Sequence, residues 1–338
     1  MQHPLTSIDI TCTVVNFVER KEFLFFALVS PVWRQAWGER PTETRSVSTS
    51  SSVPQLLYSF DCGLPRTSTR LCAAIASVGN RELLQCAREN GCPWDVATCH
   101  GAAWGGHLEL LMWARANGCP WNAATCYRAA SKGHLALLQW ARTKGCPWDE
   151  WTSNSAASGG HLEVLQWARA NGCPWDNFAC TAAAKAGKLG ILQWARENGC
   201  PWSAYTCRGA ASGGHLEILK WARANGCPWD ERTCAAASAG GHLDVLRWAR
   251  EKGCPWNKET CSVAASRGNL DVLKWAREND CPWDKDTCSR AASGGHLRVL
   301  QWARANGCPW TEMTYNEAIE GGHTAVLEWA RANGCPGS

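Results

Sequence analysis

The sequence predicts an all-α protein, a solenoid of stacked helix pairs, and three observations predict it. The first is a fixed period. Cys92, Cys119, Cys146, Cys173, Cys200, Cys227, Cys254, Cys281, Cys308 and Cys335 recur every 27 residues, each followed by Pro and all but the last by Pro-Trp. A period of this size marks a repeat array, in which each short unit buries its apolar face against its neighbours. The second is a helix-start signal. Asp95, Asn122, Asp149, Asp176, Ser203, Asp230, Asn257, Asp284 and Thr311 follow the Trp, and their side-chain oxygens suit the open N–H groups of a first helical turn. The third is a pair of stops. A recurrent Gly (Gly106, Gly133, Gly160) closes a short first helix, and a second helix, HLEVLQWARA in its commonest form, runs to Asn-Gly with Pro two residues on. Gly at positive φ followed by Pro is the expected end of a helix. Asp280 replaces that Gly once, and Asp tolerates the left-handed region better than most residues.

The period runs backwards through Cys72, Gly79, Cys86 and Arg88, so about ten repeats lie between about residue 66 and the end. VPQLLYSFDCG, residues 53–63, reads as a leading half-repeat that caps the stack. In the second helix Leu108, Leu111 and Trp113, with their equivalents, form one apolar stripe at helical spacing. Each Trp of this column is expected to bury against its own repeat and the next, and the Trp of the Cys-Pro-Trp loop to plug the gap between helices. Two residues after the second-helix Trp, or Cys86 in the first repeat, stands Arg without exception, from Arg88 to Arg331, although Lys is plentiful elsewhere. A planar, multi-donor task is implied, and stacking on a Trp or bonding a loop carbonyl would fulfil it.

The string T-C-x-x-A-A-x-x-G-H-L-E-V-L-Q-W-A-x-x-x-G-C, intact in its core at Ala129, Ala130, Gly133 and His134, resembles the ankyrin repeat. The resemblance spans roughly residues 66–335 and implies an antiparallel helix pair in each repeat. The repeat is shorter than the roughly 33 residues of that family. Cys-Pro-Trp stands where ankyrins carry a β-hairpin finger, so the fold expected is ankyrin-like with shortened finger loops.

Composition narrows the function. The net charge of +4, from 34 basic and 30 acidic residues, argues against a dedicated polyanion binder. No apolar run reaches the length of a membrane span. Asp9, Glu19, Arg20, Lys21 and Glu22 interrupt the N-terminal apolar residues, unlike a signal peptide. The 21 cysteines are odd in number, and equivalent cysteines of successive repeats would stand too far apart for disulfides. They read as reduced, buried thiols of an intracellular protein, cytoplasmic or nuclear. Zinc is not expected: no C-x-x-C pair occurs, and the column headed by His107 holds Asn80, Lys188 and Asn269, residues that suit a polar helix start better than a metal. Ten near-copies of one Cys and one His offer no singular, water-excluding pocket for catalysis. No enzyme, metal or cofactor is therefore expected.

Function in a repeat array belongs where the copies disagree. Disagreement concentrates at the positions equivalent to 96, 97, 100, 101 and 104, one face of the first helix. This face is expected to be solvent-exposed and to line the concave side. The column of residue 97 reads Ala97, Ala124, Trp151, Phe178, Tyr205, Arg232, Glu259, Asp286, Met313. Its three consecutive aromatics, with Trp104, Tyr127 and Arg232, form the candidate protein-binding site, because exposed Trp, Tyr and Arg dominate recognition energies. The alternatives are a stand-alone scaffold or inhibitor, and a nucleic-acid binder tracking phosphates with the Arg ladder.

Residues 1–38 break from the repeat. V-x-F-V-x-x-K-E-x-L and A-L-V-S-P-V-W-R, within residues 8–37, resemble an F-box. The resemblance implies short helices that dock on the adaptor subunit of a cullin-type ubiquitin ligase, with Val14, Phe17, Val18, Leu24, Val29 and Trp33 as adaptor-binding residues. The other reading of this segment is a hydrophobic cap. Residues 39–52 are Ser/Thr-rich and read as a flexible linker, leaving 53–338 to the solenoid. The stripe of Val326, Leu327 and Trp329 continues unaltered into GCPGS, so a further chain segment or a partner is expected to cover it. Together these readings make the chain a non-catalytic interaction module, expected to recruit a protein target to a ubiquitin ligase.

Overall fold

The computed structural model describes residues 52–61, 64 and 66–337. The F-box-like segment, with Val14, Phe17, Val18, Leu24, Val29 and Trp33, and the linker up to residue 51 lie outside the described residues. Among those described there are helices and no strands. A leading helix α1 (Val53–Asp61) precedes ten helix pairs. The first helices are α2 (Thr69–Val78), α4 (Val96–Gly105), α6 (Ala123–Ser131), α8 (Glu150–Gly159), α10 (Asn177–Lys185), α12 (Ala204–Ser212), α14 (Glu231–Gly240), α16 (Lys258–Ser266), α18 (Lys285–Ser293) and α20 (Glu312–Glu320). The second helices are α3 (Arg81–Glu89), α5 (Leu108–Ala116), α7 (Leu135–Thr143), α9 (Leu162–Ala170), α11 (Leu189–Glu197), α13 (Leu216–Ala224), α15 (Leu243–Glu251), α17 (Leu270–Glu278), α19 (Leu297–Ala305) and α21 (Thr324–Ala332). The fold is an all-α helix-pair repeat solenoid, with the Cys-Pro-Trp stretch as a short loop in each repeat.

The described residues gather into two compact bodies. One runs to Thr152 and includes Glu163–Cys173; the other comprises Ser153–Leu162 and the chain from Pro174 on. In the first, α1 rests on α3, and α4 packs against both α2 and α6. In the second, α10, α12, α14, α16, α18 and α20 pack each against the next, and their second helices lie on them. The Ala-Ala pairs of the first helices, such as Ala102 and Ala103 or Ala210 and Ala211, are fully buried. Their small side chains let neighbouring backbones approach closely. Leu111, Leu138, Leu219 and Leu246 of the second helices are equally buried, each contributing about 2 kcal/mol of transfer energy.

The helix ends follow the local signals. Asp95, Asn122, Asp176, Ser203, Asn257 and Asp284 accept a hydrogen bond from the backbone N–H two residues on. Asp230 and Thr311 close capping boxes with Thr233 and Thr314. Asp280, at φ 63°, is the one non-glycine described residue at positive φ, as its place in the Gly column predicts.

The two Trp columns depart from the sequence reading. Neither is buried: Trp94, Trp113 and all their equivalents are half-buried. Within each repeat the loop Trp meets the second-helix Trp edge to face, at 5.7–6.0 Å between ring centroids, from Trp94–Trp113 to Trp310–Trp329. A T-shaped pair keeps one ring edge toward water while satisfying the ring quadrupoles. The Arg ladder closes the arrangement. Arg88 donates to the carbonyl of Cys92 and lies 4.3 Å over the Trp94 ring. Arg223 does the same with Cys227 and Trp229, at 4.1 Å. Both uses need a planar fork, which explains the absence of Lys.

The His column also does something the sequence did not disclose. His107, His215 and His242 make no side-chain cap on their own helices. Instead the Nε2 atoms of His107, His134, His215, His242, His296 and His323 approach the carbonyls of Ser77, Trp104, Lys185, Ser212, Ser266 and Ser293, at 2.9–3.2 Å. A carbonyl only accepts, so Nε2 carries the hydrogen. Each His thus satisfies an open carbonyl near the C-terminus of the preceding first helix. Asn269 performs the same task, donating to Ser238 at 2.8 Å. The close approach also fixes the preceding glycine: a Cβ on Gly106, at φ 76°, would stand 2.5 Å from His134.

In the last pair Tyr315 occupies the place of the first-helix Cys. It packs among Trp310, Leu327, Ala330 and Cys335 and accepts from Arg331 at 2.7 Å. Val326 is buried and Leu327 partly so.

Two outcomes follow for stability. His242→Leu should lower the urea midpoint by the equivalent of about 1 kcal/mol, the value of one hydrogen bond, while His242→Asn should restore most of it. Arg223→Lys should cost about 1–2 kcal/mol, since the ammonium cannot both bond the Cys227 carbonyl and cover Trp229. Wild-type midpoints for the His242→Leu and Arg223→Lys chains would contradict these assignments.

Candidate functional site

The variable columns of the first helices divide in the structure. Column 97 is the open one. Trp151, Phe178 and Tyr205 are 59%, 49% and 48% exposed, and Trp104 is 42% exposed. Arg232 is exposed, whereas Tyr127 is only half-buried and column 100 is not a solvent column. Asn154, Ala235, Ser262 and Ser289 of column 100 are buried. Other side chains of columns 96 and 100 reach forward to the helix cap of the next repeat. His100 Nε2 meets Asn122 Oδ1 at 2.8 Å, Asn177 donates to Ser203 Oγ at 3.2 Å, and Lys258 donates to Asp284 at 2.5 Å. Part of the sequence variation is therefore taken up by contacts between repeats.

Two aromatic clusters remain on the first-helix faces, one in each body. In the C-terminal body the Phe178 and Tyr205 rings lie 6.1 Å apart, tilted by 38°. Arg208 sits 4.7 Å over Tyr205 and forms a two-pronged ion pair with Asp230, Nε donating to Oδ1 at 3.0 Å and Nη2 to Oδ2. The guanidinium both covers the ring and anchors α12 to the cap of α14. In the N-terminal body Trp104 on α4 has Lys132 Nζ at 3.9 Å and the Arg128 guanidinium at 5.4 Å from its ring centroid. Arg128 also stands 5.6 Å over Tyr127. Trp151 is exposed at the start of α8.

Sequence reasoning missed Arg128, Lys132, Arg208 and Asp230. A signal existed: Arg128 and Lys132 are one helical turn apart on the repeat after Trp104. Only the packing of α4 on α6 shows which ring they cover.

The remaining chemical groups are structurally engaged. Every described cysteine is free and buried. The loop thiols bond backward, as in Cys119 Sγ to the Asp95 carbonyl at 3.5 Å and Cys200 to Asp176 at 3.4 Å. Burial pushes the Cys72 thiol up to about 12; the neighbouring Cys119 thiol and burial raise that of Cys99. Cys72 and Cys99 are therefore protonated and poorly nucleophilic at neutral pH. Among the described residues no three His, Cys, Asp or Glu side chains converge on a metal-sized site. A cleft of about 790 Å³ opens at the starts of α17 and α19. Asn269 and His296 in its lining are already bonded to backbone carbonyls. No described helix is long and apolar enough to cross a membrane. The Arg ladder, engaged with loop carbonyls and Trp rings, does not present a row of uncommitted guanidiniums.

No family model and no curated protein matches the chain. Among solved structures it is similar to the crystal structure of the human ASB11 ankyrin repeat domain, at 17% identity over 46% of this chain and 84% of that one, with a TM-score of 0.38.

The Arg208–Asp230 pair gives the site a pH signature. Hydrogen bonds from Arg208 hold the Asp230 carboxyl below its ordinary value. A carboxyl depressed on folding contributes stability above its unfolded pKa of about 3.9 and loses it as pH falls through the folded value. Arg208→Met should therefore lower the thermal midpoint at pH 7, and the gap to wild type should close as pH drops below about 4. A gap that is constant from neutral to acid pH would contradict the pairing.

Proposed function

We propose that this chain is a non-catalytic protein-binding module whose target docks on the first-helix face, the face expected to be concave. Trp104, Trp151, Phe178 and Tyr205 are the apolar anchors, Arg232 is an exposed cation beside them in sequence, and Tyr127 is a half-buried support. One observation carries this reading. Large aromatic side chains stay exposed in column 97, while the repeated Trp, Arg and His side chains are used up in stacking the repeats. Exposed aromatics and Arg are the residue types that supply most binding energy at protein interfaces. The open surface of a repeat array is also its usual contact surface.

The finer reading adds the N-terminal segment. Its resemblance to an F-box supports a substrate receptor, in which residues 1–38 grip the adaptor subunit of a cullin-type ubiquitin ligase through Val14, Phe17, Val18, Leu24, Val29 and Trp33. The array then presents the target. The free state of every described cysteine supports a reducing, intracellular setting.

The test has two arms. Changing Trp151, Phe178 and Tyr205 together to Ala should abolish co-purification of the protein captured by the wild-type array, with the thermal midpoint little changed because all three are exposed. Undiminished capture of that protein would refute the binding face. Deleting residues 1–38 should abolish binding to a purified adaptor subunit in a pull-down and leave target capture intact. Adaptor binding that survives the deletion would refute the receptor reading alone.

A further inference from the structure

The first helices α2, α4 and α6 contain no Asp or Glu, whereas α14, α16, α18 and α20 carry Glu231, Glu259, Asp286 and Glu312, Glu317 and Glu320. The first-helix face of α2, α4 and α6 is thus free of helical carboxylates and cationic. Arg70, Arg128 and Lys132 are all exposed on it. Asp95, at the cap of α4, directs its carboxylate to the N–H of Ala97. Glu150 is the first carboxylate within a first helix.

Two first-helix cations of the C-terminal body are ion-paired, whereas Arg128 and Lys132 share an aromatic ring. Arg208 is matched by Asp230, and Lys258 by Asp284 and Asp286. Neither Arg128 nor Lys132 has a carboxylate partner among the described residues. Both are nevertheless gathered at one ring: Lys132 Nζ at 3.9 Å and the Arg128 guanidinium at 5.4 Å from the Trp104 centroid, with Trp104 itself exposed. Two like charges gathered at one ring repel each other, and the ring quadrupole offsets part of that repulsion. An anion paired with these cations would offset the rest, and the exposed Trp104 would bury an adjacent apolar group.

We infer that the α4–α6 face of the N-terminal body binds an acidic peptide segment of the target protein. Its carboxylates pair with Arg128 and Lys132, and an apolar neighbour packs on the edge of Trp104. This rests on the reading of the first-helix face as the target surface and adds the chemistry of what it holds. A polynucleotide fits less well. Cations already cover Trp104, where a base would need to stack, and the Arg ladder is committed to loop carbonyls. The overall charge of +4 supplies no broad phosphate-tracking field.

The full chain can be titrated by fluorescence anisotropy against a short labelled peptide rich in Glu with one central Leu. Its Gln counterpart and a single-stranded oligothymidylate of equal charge serve as comparisons. The Glu peptide should bind, weaken as NaCl rises, and lose about tenfold or more in affinity on Arg128→Glu with Lys132→Glu. Trp104→Ala should also weaken it. Should the reversed pair melt early, Arg128→Gln with Lys132→Gln removes the charges more gently and should show the same loss. Equal binding of the Gln peptide, unchanged affinity in the charge variants, or oligothymidylate displacing the Glu peptide would each overturn the inference. Target capture separates the two proposals. If charge reversal leaves capture intact and the triple aromatic variant abolishes it, the acidic segment is refuted and the first-helix face stands. If the triple variant still captures the target, the broader reading falls.

Discussion

A guanidinium set between consecutive repeats governs this structure. Arg88 leaves the second helix of one repeat, donates to the carbonyl of Cys92 in the loop, and lies over Trp94. Trp94 in turn meets Trp113 of the following second helix edge to face. A continuous line of contact therefore joins one second helix to the next through a loop too short to have a core of its own. The same line recurs through Arg223, Cys227, Trp229 and Trp248. Because the loop carries no hairpin to brace it, the cation and two half-buried rings hold its position. Their exposure is the physical reason a cation is useful there: a fully buried guanidinium would bear a desolvation penalty that a half-wet one avoids.

Interfaces between repeats, more than the repeats themselves, hold the array together. A nine- or ten-residue helix is marginal alone in water, and a solenoid gains its stability from nearest-neighbour contacts. The polar part of those contacts is economical. His242 reaches the carbonyl of Ser212, and Cys227 bonds that of Ser203, so polar groups of one repeat find partners in the repeat before it. Asn269 in the His column and Tyr315 in the Cys column show that the demand is for a function, a donor in one case and a filled volume in the other, rather than for one residue type.

Variation in the first helices serves two ends. His100, Asn177, Arg208 and Lys258 differ in kind, yet each meets the cap residue of the next repeat. They adapt neighbouring repeats to one another. Trp104, Trp151, Phe178 and Tyr205 meet no such demand and stay open to solvent. This division is what makes the aromatic clusters a candidate surface: although Phe178 meets Tyr205 and Trp104 carries Lys132, these rings remain exposed.

The sequence by itself determined the fold class, the repeat boundaries and the helix ends, down to the left-handed Asp280. Those features depend on interactions a few residues apart, between a cap and its first turn or along one helical stripe, and such short-range physics is written directly in the letters. It also indicated that the Arg column needed a planar donor. Only the tertiary structure decided that the Trp columns are half-buried pairs, that His reaches back across repeats, and that column 100 turns inward. It also decided which rings Arg128, Lys132 and Arg208 cover. Apart from the local contacts of Arg208 with Tyr205 and Arg128 with Tyr127, these join residues of successive helices or repeats, and whether two such side chains meet is set by how closely the Ala-lined first helices pack. That distance is a property of the assembled interface and of no single repeat.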